Sequence, residues 1–252
     1  MTVWALLLEY DGAPFVGWQR QQNGLSVQEV LENAAAQLSG GTQVASVVAG
    51  RTDAGVHAEA QVAQLTLVTT LSADRLREAL NYHMKPHPVV VLRIAPAPDD
   101  WNARFSAIGR AYRYWILNRR ARPALQVGRV WHLPAVLDAA AMHEAAQLLL
   151  GRHDFTSFRA AACQAKSPLR TLDRLDVRRH GDLVEIVAEA RSFLHHQVRN
   201  MVGTLKLVGD GHWPPAKVAA ALAARDRSAA GPTAPPEGLY LTGVRYAVDP
   251  FS

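Results

Sequence analysis

Length, composition and charge limit the classes of protein that this chain can form. It has 252 residues, of which 49% are hydrophobic, so it can bury a core as one large domain or two small ones. Its single cysteine, Cys163, excludes an internal disulfide bond and a multi-cysteine metal site. The formal net charge of +5 suits an anionic partner but does not identify one.

The first hundred residues predict alternating strands and helices. Residues 3–10 are mostly apolar and lack a basic leader, which predicts a first strand rather than a signal peptide. Ser26 and Glu29 have the spacing of a capping box and predict a helix start. Strands on either side of the loop at 49–58, a helix from residue 72 and a strand at 89–94 follow. The resulting β-α-β-β-α-β order is that of a ferredoxin-like unit.

The second half predicts further mixed α and β structure without a visible sequence repeat. Asp138 is placed as the N-cap of one helix, residues 179–182 as the turn of a hairpin, and residues 193–208 as an apolar helix. No low-complexity linker interrupts the chain. We therefore expect two α/β halves, 1–100 and 101–252, that share one continuous sheet with a cleft between them.

The loop at 49–58, AGRTDAGVHA, carries a carboxylate, a guanidinium and an imidazole. Asp-Ala-Gly is a common turn sequence, because Asp binds local N–H groups and Gly supplies positive φ, so turn chemistry alone favours a structural role for Asp53. Arg51 would keep that carboxylate ionised, as a nucleophile or general base requires. Arg51 is equally consistent with a phosphate ligand or a surface residue, so the loop alone leaves its function open.

Two other features suggest an anionic ligand. Arginines and aromatic residues interleave between 104 and 122, which favours nucleic acid but also fits an amphipathic strand with a solvated basic edge. Arg199 lies in an apolar pattern, where it needs a carboxylate partner such as Asp53 or extends its charged end to water. Zinc-site spacings, Walker A, GxGxxG and GxSxG patterns do not occur, so neither a metal site nor a nucleotide cofactor is predicted.

Together these stretches resemble the tRNA pseudouridine synthase A family, in family order from residue 3 to about residue 246. GRTDAGVHA is highly specific to the family, and GWQRQ and HHxVRN add independent support. The resemblance implies the α+β pseudouridine synthase fold, in which two ferredoxin-like α/β halves share a mixed, mostly antiparallel sheet with a central active-site cleft. The matching stretches are 9–12, 17–21, 26–28, 49–57, 103–107, Arg113 with its flanking tyrosines, 154–158, 195–203 and 237–241.

The resemblance also implies an activity: isomerisation of uridine to pseudouridine at positions 38, 39 and 40 of the tRNA anticodon stem-loop, by a cytoplasmic homodimer without a cofactor. The essential aspartate falls on Asp53, and the arginine that pairs with it falls on Arg199. Substrate-binding positions fall on Arg51 for base flipping, on Tyr112 for stacking on the target base, on Leu239 for packing against that base, and on Arg104.

Two other functions are alternatives to the synthase. A non-catalytic α+β RNA-binding module would be expected to have lost Asp53, Tyr112 or Arg199, and all three are present. A glycoside hydrolase that uses carboxylates normally needs a second catalytic carboxylate, and none is evident near Asp53 in the sequence. The resemblance therefore favours the synthase.

Overall fold

The computed structural model describes residues 1–252, which divide into two compact units. The first consists of Met1–Arg110 and Tyr240–Ser252, and the second of Ala111–Leu239. The mixed α and β content and the mostly antiparallel pairing confirm the predicted fold class. The division into domains at residue 100 stays a prediction. None of the helices has the length and apolar character needed to span a membrane.

The first unit has the predicted β-α-β-β-α-β order. Strand β1 pairs antiparallel with both β4 and β3, and the short β2 pairs antiparallel with β3, which is the ferredoxin-like arrangement. The last strand, β10, returns to this unit and pairs in parallel with the start of β3. The elements are β1 (Thr2–Tyr10), α1 (Val27–Leu38), β2 (Ser46–Val48), β3 (His57–Leu67), α2 (Ala73–His83), β4 (Val89–Ala97) and β10 (Leu239–Tyr246).

Local chemistry explains where the helices of the first unit begin. The Ser26 side chain accepts a hydrogen bond from the Glu29 N–H at 3.2 Å, so the predicted cap of α1 is confirmed. Ser72 caps α2 in the same way. Leu6 and Leu8 of β1 are completely buried, as are Leu76 and Leu80 of α2. This core holds β1 and β3 in place and so positions the loop that precedes β3.

The second unit shares five elements of this order, although no sequence repeat is visible. The order β5-α3-β8-β9-α4 matches β1-α1-β2-β3-α2, and the strand order β5-β9-β8 matches β1-β3-β2. Strand β5 begins in the first unit and continues into the second. The elements are β5 (Ala107–Leu117), β6 (Trp131–His132), α3 (Ala139–Gln147), β7 (Gly151–Asp154), β8 (Leu169–His180), β9 (Leu183–Ala190), α4 (Gln197–Gly209) and α5 (Ala216–Ala224).

The predicted start of the apolar helix at residue 193 is wrong. Helix α4 begins at Gln197, because His196 has a left-handed backbone conformation with φ of 62° that ends any continuous helix there. Gln197 stabilises the turn from both ends: its N–H donates to the Leu194 carbonyl, and its side chain accepts from the Leu194 N–H at 2.8 Å. The pair His195 and His196 therefore precedes the helix instead of lying within it.

Candidate active site

Asp53 lies in the loop between β2 and β3, and main-chain hydrogen bonds hold that loop in place. The Trp18 N–H donates to the Thr52 carbonyl at 3.0 Å, and Gly17 and Asp53 form an isolated antiparallel bridge. The Val56 N–H closes the turn on the Asp53 carbonyl at 3.1 Å. The GWQRQ segment is thus the support of the Asp53 loop, and the half-buried Asp53 side chain is presented on a preformed turn.

Two glycines let the backbone approach this loop closely. A Cβ atom on Gly12 would lie 2.1 Å from the Val56 carbonyl oxygen, closer than any real contact of that kind. Gly17 has a φ of +107°, and a Cβ there would lie 2.6 Å from the Thr52 carbonyl oxygen. Larger residues at either position would displace the backbone on one side of Asp53.

Below the loop, a buried network of polar side chains connects β1, β3 and the loop itself. The hydroxyls of Tyr10 and Thr52 are 2.8 Å apart, and the Gln61 amide donates to the Tyr10 hydroxyl at 3.3 Å and to the Gly50 carbonyl at 2.8 Å. All three side chains are buried. The network fixes the loop on either side of Arg51, whose own side chain is exposed.

Replacing Tyr10 should change how stability depends on pH. Burial raises the pKa of Tyr10 to about 12, against the lowering effect of its hydrogen bonds with Thr52 and Gln61. A raised pKa stabilises the folded state fully below the unfolded value near 10 and loses this contribution as pH rises toward 12. The free energy of unfolding of the wild type should therefore fall by about 1–3 kcal/mol more than that of Tyr10→Phe between pH 9 and 12, in denaturant titrations.

The control for that measurement is Tyr82→Phe, because the Tyr82 side chain is 69% exposed. Its stability curve should run parallel to that of the wild type over the same pH range. Parallel curves for Tyr10→Phe as well would contradict the assigned role of the buried phenol.

The imidazole of the loop motif serves the packing of the first unit. His57 is 1% exposed and accepts a hydrogen bond at Nδ1 from the Gly12 N–H at 3.0 Å. Its ring stacks on that of Tyr240 with centroids 4.7 Å apart. Of the three polar groups that the motif presents, only Arg51 and Asp53 have side chains that are not fully buried.

The basic segment between 104 and 122 divides into exposed and structural arginines. Arg104 is exposed, whereas Arg110 is half-buried and donates to the carbonyls of Ala49 and Arg104 at 2.7 and 2.8 Å. Arg113 forms an ion pair with Glu185 at 2.9 Å. The sequence left open whether these arginines bind nucleic acid or form the solvated edge of a strand. The structure shows that Arg110 connects the Asp53 loop to the turn that carries Arg104.

In the second unit, Tyr112 lies on β5 with 9% of its surface exposed. Its ring meets the ring of Phe193 edge to face, with centroids 5.2 Å apart. Phe193 precedes the turn that ends at His196, so the orientation of the tyrosine ring depends on that turn. Sequence analysis identified Tyr112 but not the phenylalanine that holds its edge.

Arg199 and Leu239 lie at two ends of one closely packed region of the second unit. Arg199 donates from Nε to the Ala234 carbonyl at 2.7 Å, and the Ala234 N–H donates back to the Arg199 carbonyl at 3.1 Å. A Cβ atom on Gly203 would lie only 1.8 Å from the Pro232 carbonyl oxygen. The segment at 231–239 is therefore held tightly against α4, and Leu239 at its end is buried.

Asn200 is a buried residue of this region whose role sequence reasoning missed. Its amide donates to the Phe158 carbonyl at 2.8 Å, and its oxygen accepts from the Thr233 hydroxyl at 2.6 Å and from Arg227 at 3.2 Å. The signal in the sequence was an asparagine within an apolar helical pattern, since a buried amide must find partners. These bonds fix the rotation of α4 and so the direction in which Arg199 leaves the helix.

Comparison with known proteins gives the family of this chain. The family model described as tRNA pseudouridine synthase matches residues 7–106 and 145–247. The chain belongs to the tRNA pseudouridine synthase family. A protein of Acidiphilium cryptum named tRNA pseudouridine synthase A is 74% identical over all of this chain and 99% of its own length. Proteins of the same name from Rhodospirillum centenum and Paramagnetospirillum magneticum are 63% and 60% identical over 98% of this chain, covering 100% and 96% of their own lengths.

The match to the family model covers most of the candidate site. Asp53, Arg104, Arg199 and Leu239 lie inside the matched ranges, as does Arg51. Tyr112 lies in the stretch between them, so for this position the likeness rests on the full-length relatives. The match confirms the predicted family and identifies an enzyme of the isomerase class that acts on tRNA.

Proposed function

We propose that this chain isomerises uridine to pseudouridine at positions 38, 39 and 40 of the tRNA anticodon stem-loop. The observation that carries the proposal is the likeness over the whole chain to proteins named tRNA pseudouridine synthase A. The preformed Asp53 loop supports it, because a carboxylate held on a fixed turn is suited to act on a positioned substrate.

The proposed reaction rearranges one nucleotide and conserves all its heavy atoms. The bond between C1′ of the ribose and N1 of the uracil breaks, the base turns, and C5 bonds to C1′ while the C5 proton leaves and N1 gains a proton. No electrons are transferred to another molecule, so the balanced reaction requires no cofactor. A target base inside a stem must first be extruded, which costs a few kcal/mol.

Asp53 is the proposed essential carboxylate, with Arg199 as its ionic partner. The carboxylate can attack C1′, add to the base, or remove the 2′ proton of the ribose, and all three routes need it ionised. A guanidinium partner favours the ionised form. Excluding water strengthens this attraction and prevents hydrolysis of the broken glycosidic bond to free uracil.

The other proposed residues bind the extruded nucleotide. Arg51, which is exposed on the Asp53 loop, is proposed to fill the space that the base leaves or to hold a phosphate. Tyr112 supplies a face on which the base stacks, Leu239 packs against that base, and Arg104 contacts the RNA. The enzyme is further proposed to be a homodimer whose subunits both contact one tRNA, and to act in the cytoplasm, where bacterial tRNA is modified.

Substitutions of Tyr112 test the stacking role. Tyr112→Phe keeps the ring and its edge contact with Phe193, so it should keep activity within about threefold. Tyr112→Ala removes the ring and should lower kcat/KM on stem-loop RNA by about 10- to 100-fold, as the loss of a base–aromatic stack predicts. Equal activity of the alanine and phenylalanine variants would contradict this role.

The proposed positions are tested by mapping pseudouridine in transcribed tRNA before and after treatment with the enzyme. Chemical marking of pseudouridine with a carbodiimide, read by reverse transcription, should give new stops for positions 38, 39 and 40 wherever uridine occurs there. Transcripts with cytidine at these positions serve as controls and should give none. Modification only at other uridines would contradict the assigned positions.

A further inference from the structure

Phe105 is a large apolar side chain on the surface of the first unit, with 76% of its surface exposed. It lies in the turn between Trp101 and β5, beside the exposed Arg104. The guanidinium carbon of Arg104 lies over the Phe105 ring, 5.5 Å from its centroid. A single exposed hydrophobic residue needs no special explanation, so the case rests on how this one is held.

Hydrogen bonds to the side chains of Asn102 and Ser106 fix the turn that carries Phe105. The Asn102 side-chain oxygen accepts from the N–H groups of both Arg104 and Phe105 at 3.0 Å. The Asn102 N–H donates to the Ser106 hydroxyl at 3.1 Å, and the Ser106 N–H donates to the Asn102 carbonyl at 2.9 Å. The exposed ring therefore stands on a preorganised turn, which lowers the entropy cost of binding through it.

Two strands of the first unit hold the same turn from below. The Ala103 N–H donates to the side chain of Gln64 on β3 at 3.1 Å, and its carbonyl accepts from the hydroxyl of Tyr246 on β10 at 2.7 Å. Both strands belong to the sheet that supports the Asp53 loop. The position of the ring is thus set by the rigid part of the unit.

Arg110 connects this turn directly to the loop of the proposed catalytic residue. One terminal nitrogen of its guanidinium donates to the Arg104 carbonyl at 2.8 Å and to the Ala49 carbonyl at 2.7 Å. Ala49 is the first residue of the AGRTDAGVHA loop, four positions before Asp53. The turn that carries Phe105 is therefore fixed to the loop that carries Asp53.

We propose that the Phe105 ring is a stacking platform for a second, non-reacting base of the anticodon stem-loop, with the Arg104 guanidinium beside it on the adjacent phosphate or base. This inference rests on the proposed function, which supplies RNA as the partner. An aromatic ring next to an arginine offers the two contacts that unpaired nucleotides take up, a stacking face and a cation. Holding a neighbouring base would fix the register of the RNA while the target uridine is extruded.

Binding measurements with Asp53→Asn as the background separate this role from catalysis, because the RNA stays chemically unchanged. Fluorescence anisotropy of a labelled anticodon stem-loop gives the Kd for each Phe105 variant. Phe105→Ala and Phe105→Leu should weaken binding about tenfold, and Phe105→Tyr should stay within about twofold of phenylalanine, because only an aromatic ring stacks on a base. Val248→Ala, which changes another residue that is 78% exposed in the same unit, should leave Kd unchanged.

Three outcomes would overturn the proposal: unchanged binding by Phe105→Ala, equal binding by the leucine and tyrosine variants, or a change of molecular mass in sedimentation that accompanies the loss of affinity. The last would assign Phe105 to a contact between subunits. Thermal unfolding of Phe105→Ala should match that of the background protein. If the proposed function is wrong, the unaltered enzyme forms no new pseudouridine in the mapping experiment. That result is distinct from an unchanged Kd of the Phe105 variants.

Discussion

Asp53→Asn is expected to lower the rate of pseudouridine formation by about 10,000-fold or more, the size of loss seen when an essential catalytic group is removed. Asparagine keeps the shape of the side chain and removes its charge and nucleophilicity. The loop should keep its conformation, because its position depends on main-chain bonds with the segment at 15–18 and on the turn closed by Val56. The measurement is single-turnover conversion of stem-loop RNA.

Asp99→Asn is the matched control for that experiment, since it removes one exposed carboxylate of the same unit. It should convert RNA at the rate of the unaltered enzyme. Unfolding temperatures of the two variants should agree within a few degrees. If Asp53→Asn retains more than about one-hundredth of the wild-type rate, Asp53 is not the essential carboxylate.

Gly203→Ala is expected to be the most damaging small substitution in the second unit. Its new methyl group would lie 1.8 Å from the Pro232 carbonyl oxygen, and both atoms are fixed by the backbone. Either α4 or the segment at 231–239 must move, at a cost of about 3 kcal/mol or more. That shift would also disturb the paired hydrogen bonds between Arg199 and Ala234, so activity should fall together with stability.

Gly209→Ala makes the same chemical change in the same helix and serves as its control. The nearest atoms to its new methyl group belong to the flexible side chain of Met142, at 2.6 Å, which can turn away. Denaturant unfolding should show Gly203→Ala as clearly the less stable variant. Equal stability of the two would contradict the close packing of α4 against Pro232.

Features set by short-range chemistry could be predicted from the sequence. The N-caps at Ser26 and Asp138 were both correct, because each depends on a hydrogen bond within one helical turn. The ferredoxin-like order of the first half followed from the spacing of its strand and helix patterns. The sequence identified Asp53 as a candidate, but the prediction of a catalytic role depended on the family motif, because turn chemistry alone favoured a structural role.

Features set by contacts between distant segments could not be predicted. The link from Arg110 to Ala49 joins residues 61 positions apart, and no local pattern indicates that an arginine will bind carbonyl groups instead of phosphate. The network of Tyr10, Thr52 and Gln61 also joins residues that are far apart in the sequence, so no local pattern predicts it. The start of α4 was misplaced because an apolar helical pattern does not reveal the left-handed conformation of His196.

The central claim is tested most directly with anticodon stem-loop RNA that carries tritium at C5 of its uridines. Formation of the bond between C5 and C1′ expels that hydrogen, so isomerisation releases tritium into water and leaves the base attached to the RNA. We expect one tritium released per pseudouridine formed, no free uracil, and no release with Asp53→Asn. Release of free uracil, or no tritium release by the unaltered enzyme, would contradict the proposed function.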